Sequence, residues 1–117
     1  MSEITLLHNP NCSTSRHAKD VLAQAGADVE VVQYLKHPLD AAALRALIAR
    51  LEDPVTDLVR RDAHFTDLGL ADADVATEDQ VVAVLVEHPR LMQRPVLVRG
   101  ERAIIGRPKD RVAEFIA

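Results

Sequence analysis

Two short aliphatic runs, separated by one amphipathic segment, fill the first 35 residues and restrict the fold more than any other feature of the chain. Residues 4–7, Ile-Thr-Leu-Leu, read as a strand buried on both faces. From 13 to 25 the apolar positions Ala18, Val21, Leu22 and Ala25 recur at i, i+3, i+4 and i+7, and Gly26 stands just past the end of that helix. Residues 29–32 form a second strand. A strand, helix and strand in so short a span make a crossover unit, and a crossover of this length sets its two strands parallel.

Downstream, Asp40 is a candidate N-cap for a helix whose buried stripe is Leu44, Leu47, Ile48 and Leu51. Residues 54–72 are less periodic, and a short helix is expected to start at Pro54. Thr77-Glu78-Asp79-Gln80 matches a capping box ahead of Val81, Val84 and Leu85, and His88-Pro89 ends that helix. Residues 95–98 and 103–105 are two further strands, and Gly100-Glu101 between them implies a hairpin. A last helix is expected to begin at Gly106-Arg107-Pro108, with Val112, Phe115 and Ile116 inward. The order βαβ, helices, ββα is a thioredoxin-like α/β layout with a mixed four-stranded sheet. One domain over 1–117 is expected, its core from 1–35 and 90–117 and a helical insert at about 38–89.

A chain of 117 residues with 48% apolar content can bury a core of its own. Its formal charge of −4 disfavours nucleic acid or an acidic membrane surface as partner. The apolar runs are too short to span a bilayer, and no signal-peptide pattern opens the chain. A cytoplasmic monomer is the expectation. His17, His37, His64 and His88 have no metal-ligand spacing and read as surface residues, and no nucleotide fingerprint is present. Asp72, Asp74, Glu78 and Asp79 read as a solvated face.

Cys12 is the sole cysteine, so no internal disulfide can form. It follows a strand end and a turn, Asn9-Pro10-Asn11, and precedes a helix. A helix N-terminus stabilises a thiolate through its dipole and unpaired N–H groups. Ser13, Thr14 and Ser15 can donate hydrogen bonds there, Arg16 lies one turn along, and His8 closes the strand as either a partner of the thiol or a loop-bonding residue. The spacing Cys12-x-x-Ser15 puts a serine where a resolving cysteine would stand. If Cys12 turns over, the second thiol comes from another molecule, for which glutathione is the natural cytosolic source.

The loop "HNPNCSTSR" at residues 8–16, the "RP" of Arg94-Pro95 and the "GRP" at 106–108 resemble the glutaredoxin- and glutathione-coupled arsenate reductases, and the resemblance spans nearly the whole chain. It implies a thioredoxin-like core with a helical insert, Cys12 as nucleophile, and Arg60, Arg94 and Arg107 as binders of the arsenate oxyanion. His8, Ser15, Arg16 and Pro95 are expected to support them. Arg61, beside Arg60, leaves a one-residue ambiguity of register. Guanidinium suits an oxyanion because it is planar, permanently charged and donates in pairs. By analogy with the fold, the Arg94–Pro95 bond is expected to be cis, facing the thiol. The implied partners are arsenate, glutathione and glutaredoxin, with no metal and no bound cofactor. The chain ends at Ala117, where some members of that family continue, and no catalytic residue is expected from such a tail. Related proteins of the same fold include glutathione-dependent thiol reductases with other substrates and a non-enzymatic regulator that binds RNA polymerase. The arginine set favours arsenate over another thiol-reductase substrate, Ser15 argues against a disulfide switch, and nothing in the sequence favours polymerase binding.

Overall fold

The computed structural model describes residues 3–117. Four strands, β1 (Ile4–His8), β2 (Val29–Gln33), β3 (Val96–Arg99) and β4 (Arg102–Ile105), form one sheet in the order β2-β1-β3-β4. β1 runs parallel to β2 and antiparallel to β3, and β3 is antiparallel to β4, so the sheet is mixed. The helices are α1 (Ser13–Gln24), α2 (Ala41–Arg50), α3 (Ala63–Asp67), α4 (Glu78–Glu87) and α5 (Arg111–Ile116).

Side chains alternate across a strand, and here both faces are covered. Ile4 and Leu6 of β1, Leu97 of β3 and Ile104 of β4 pack with Ala18 and Leu22 of α1 and Val112 and Phe115 of α5. Leu7, Val96, Ala103 and Ile105 point the other way, into a second cluster with Leu44, Leu47, Val81 and Leu85 of α2 and α4. The result is three layers, which explains why β1 carries no polar face.

Local signals act as expected at most element ends. The Asp40 carboxylate accepts from Ala43 N–H, and Thr77 and Gln80 exchange hydrogen bonds in a capping box. Each such cap contributes roughly 1 kcal/mol. Gly100, at φ +59°, takes the first central position of the two-residue turn between β3 and β4, where a positive φ is needed and a side chain is costly. No helix among the described residues is long and apolar enough to cross a membrane.

Two expectations need correction. Pro54 does open a turn, but only one turn of 3-10 helix, Val55–Leu58. The chain then straightens, because Arg60 N–H donates to Leu91 O and Gln93 N–H to Leu58 O, a short antiparallel bridge that competes with helix. The last helix begins at Arg111, not at residues 106–108. Gly106 N–H is held by Pro95 O at 2.8 Å, extending the β3–β4 pairing, and Arg111 N–H closes a turn on Pro108 O. Gly106 is also required by space: a Cβ there would lie 2.8 Å from Pro95 Cγ and 3.0 Å from Leu97 Cδ1. The Arg94–Pro95 bond is cis as expected, and Arg107–Pro108 is cis as well.

Candidate active site

Strand register explains why residues far apart in sequence meet. His8 pairs with Gln33 and Leu7 with Val96, while Val96 pairs with Ile105. The residues just beyond β1, β2 and β4, and just before β3, therefore share one end of the sheet. Those residues are the Asn9–Cys12 loop, Tyr34, Gly106-Arg107 and Arg94-Pro95. Carboxyl ends of parallel strands are where α/β sheets commonly open a crevice.

Cys12 caps α1, with an extended backbone, and is 8% exposed. Its N–H closes the loop on Asn9 O, and its carbonyl accepts the first helical bond from Arg16 N–H. Burial is the largest influence on its thiol and pushes the pKa up. Against it act the backbone N–H of Ser15, the Arg94 guanidinium, the N–H of Thr14 and the charge of Arg107, and together they hold the thiol below its ordinary value. Among the described residues only Arg107 meets full hydrogen-bond geometry with sulfur, its Nη2 donating to Sγ at 3.4 Å. The others lie near enough to favour the anion. The hydroxyls expected to donate do not: the Ser15 hydroxyl turns back to His8, and the N–H groups of Thr14 and Ser15 face the sulfur instead.

Arg107 also binds the backbone of Arg94. Arg107 Nε donates to Arg94 O at 2.8 Å, so the two guanidinium-bearing segments are tied at the sheet end. Arg94 lines a cleft of about 220 Å³ with Asn9, Asn11, Asp62, His64 and Arg90. Arg107 lines a neighbouring one of about 300 Å³ with Gln93, Asp53 and Arg111. Arg60 stands one step back. Its Nε lies 3.5 Å from Asp62, and its charge reaches Tyr34. Arg61 is committed elsewhere, to the carbonyls of Thr56 and Val59 and to Asp72. Of the two adjacent arginines, Arg60 acts on Tyr34, while Arg61 lines the cleft of Arg107.

His8 is buried, and its Nδ1 lies 2.7 Å from Ser15 Oγ, which also accepts from Asn9 N–H. Burial first, then the charges of Lys19 and Arg16, lower its pKa, so it is a neutral, loop-bonding residue rather than a cationic partner. Arg16 clamps the loop from outside, Nη1 donating to Pro10 O at 2.8 Å. His64 and His88, read as surface residues, are half-buried and meet edge to face at 6.3 Å.

Sequence reasoning missed three participants. Asp53 and Arg111 brace the Arg107 loop: Arg111 Nη1 donates to Asp53 Oδ1, Ile105 O and Arg107 O, and Ile105 N–H donates to Asp53 Oδ2. Nothing in local sequence pairs residues 53 and 111. Tyr34 is the third. As the only tyrosine, directly after a strand that runs parallel to the cysteine strand, it carried a signal that went unused.

The sequence profile described as the ArsC family matches residues 7–115. An arsenate reductase of Escherichia coli is 34% identical over 117 residues, covering 99% of this chain and 82% of its own length. The E. coli K12 protein YfgD, itself uncharacterised, is 37% identical over 116 residues and covers 97% of each chain. The solved structure of an arsenate reductase from Vibrio cholerae superposes with a TM-score of 0.85 at 30% identity, covering 97% of both chains.

Proposed function

Given that the chain belongs to the ArsC family and has its thioredoxin-like fold, we propose that it reduces arsenate to arsenite in the cytoplasm, with Cys12 as nucleophile and glutathione and glutaredoxin as electron donors. The observation that carries this reading is a helix-capping thiol that accepts a hydrogen bond from Arg107 and whose pKa Arg94 and Arg107 lower.

Arsenate docks against the two guanidinium groups, with Arg60 completing the cationic set. The Cys12 thiolate attacks As(V), a sulfur–arsenic bond forms, and one arsenate oxygen departs as water after taking up protons. Negative charge on the remaining oxygens is met by fixed donors that need no reorganisation. A glutathione thiolate then attacks Cys12 sulfur. The sulfur–arsenic bond breaks with its electron pair going to arsenic, which becomes As(III). Two thiols are oxidised to one Cys12–glutathione disulfide, balancing the two electrons gained by arsenic. Glutaredoxin returns Cys12 to the thiol. An outside thiol is required because Ser15 occupies the position of a resolving cysteine. Phosphate shares arsenate's shape and charge, so it is expected to bind and inhibit, but thiols do not reduce phosphorus.

The test is arsenite formation from arsenate with glutathione, glutaredoxin, NADPH and glutathione reductase present. Wild type is expected to form arsenite only when glutathione is supplied, and Cys12→Ser to form none. A folded wild type that forms no arsenite with any thiol donor would overturn the assignment and direct attention to glutathionylated substrates.

A further inference from the structure

Among the described residues, three buried side-chain polar atoms have no hydrogen-bond partner: Tyr34 OH, Arg94 Nε and Gln93 Oε1. Buried tyrosine hydroxyls and arginine N–H groups nearly always find partners, because an unpaired one forfeits its hydration without return. Two of the three atoms belong to residues that act on each other and on Cys12.

Tyr34 is 1% exposed. Its ring is part of the core, beside Leu39, Leu44, Leu85 and Met92. Its hydroxyl is at the other end of the side chain, within the fields of Arg94, Cys12 and Arg60 and beside the Asn9 amide, although without hydrogen-bond geometry to it. The parallel register accounts for this: His8 pairs with Gln33, so Asn9 and Tyr34 are the next residues beyond that pair.

We propose that the Tyr34 hydroxyl and Arg94 Nε–H are substrate contacts, a neutral and a charged donor that together hold an oxygen of the tetrahedral oxyanion beside Cys12. The proposal rests on the oxyanion reading above and adds a specificity residue to it. The phenol is a neutral donor at physiological pH, and burial, which raises its pKa, moves it further from ionisation. A donor left unpaired until substrate arrives also favours ligands that present an oxygen at that point over those that do not.

The chain has one tyrosine and no tryptophan, so tyrosine absorption and fluorescence report Tyr34 alone. Arsenate, phosphate and sulfate are titrated into wild type while two signals are followed: Cys12 alkylation by iodoacetamide and the tyrosine spectrum. Both are expected to change with one midpoint for arsenate. In Tyr34→Phe, arsenate protection of Cys12 is expected to weaken about tenfold, the loss of one hydrogen bond to a charged ligand. The unfolding midpoint is expected to stay the same or rise, since an unpaired hydroxyl is removed. Protection of wild type with a silent tyrosine spectrum would overturn the proposal and leave the oxyanion reading intact. So would a Tyr34→Phe protein with unchanged protection and lowered stability, which would assign the hydroxyl to Asn9 inside the fold. If none of the three anions protects wild type, the oxyanion reading and this proposal fall together.

Discussion

At Cys12 burial and charge act on one sulfur in opposite directions, and the direction of the sum decides whether the residue is inert or reactive. Burial alone would leave a protonated, structural thiol; the Ser15 and Thr14 N–H groups, Arg94 and Arg107 reverse the sign. A lowered pKa means that the thiolate is present at pH values where a free cysteine is still protonated. It also means that the folded state gains stability from the thiolate above the ordinary thiol pKa and loses it as pH falls through the lowered one. Following thiolate absorbance against pH should therefore give a wild-type midpoint below that of a free thiol, with the signal missing in Cys12→Ser. Arg107→Ala, which removes the hydrogen bond to Sγ, should move the midpoint upward while the fold persists. An unmoved midpoint would assign the lowering to the helix terminus and Arg94 alone.

Elements that depend on neighbours in sequence were legible beforehand, and those that depend on distant partners were not. Asp40, Thr77 and Gly26 mark helix ends through bonds or backbone angles confined to a few residues, and each does so in the structure. The start of α5 was misplaced because Gly106 N–H is taken by Pro95 O, a partner across the hairpin. The same long-range logic hid the brace under Arg107. Asp53 follows the end of α2, where Glu52 N–H pairs with Ala103 O along β4, and its carboxylate meets Arg111 at 2.8 Å. Arg111 has no hydrogen bond to the sulfur; it fixes the carbonyls of Ile105 and Arg107 on either side of Gly106. Arg111→Met should cost about 1–3 kcal/mol in a denaturant titration, because Asp53 is left half-buried without its cation. If the brace positions Arg107, the variant should also raise the Cys12 titration midpoint. Lost stability with an unchanged thiol would reduce the pair to a structural role.

Over the whole molecule, charge and function point in opposite directions. The chain carries a formal −4, which should repel small anions at long range. Yet Arg94, Arg107 and, behind them, Arg60 gather at one end of the sheet, where Asp62 lines the cleft of Arg94 and Asp53 and Asp57 line that of Arg107. Cys12, Arg94 and Arg107 each stand in a motif that local sequence displays. Their convergence was not legible there, because it follows from register: two strand ends and one strand start must meet before residues 12, 94 and 107 can act on one atom. The place of Tyr34 beside Asn9 follows from register in the same way. A comparison of two alkylating agents separates the local field from the net charge. Iodoacetate is an anion and iodoacetamide is neutral, and both react with the same thiolate. A protein ruled by its net charge would react more slowly with iodoacetate. Cys12 should instead react with iodoacetate at least as fast as with iodoacetamide, by up to about tenfold if the arginines contribute a little over 1 kcal/mol at short range. Salt at about 0.15 M, with a Debye length of roughly 8 Å, should remove the distant repulsion more than the contact attraction, so the preference should survive. Replacing Arg94 and Arg107 together by alanine should invert the ratio. Were the ratio to stay below one in wild type, the two arginines would not be acting on anions that approach Cys12, and the site could not hold arsenate in the way its geometry requires.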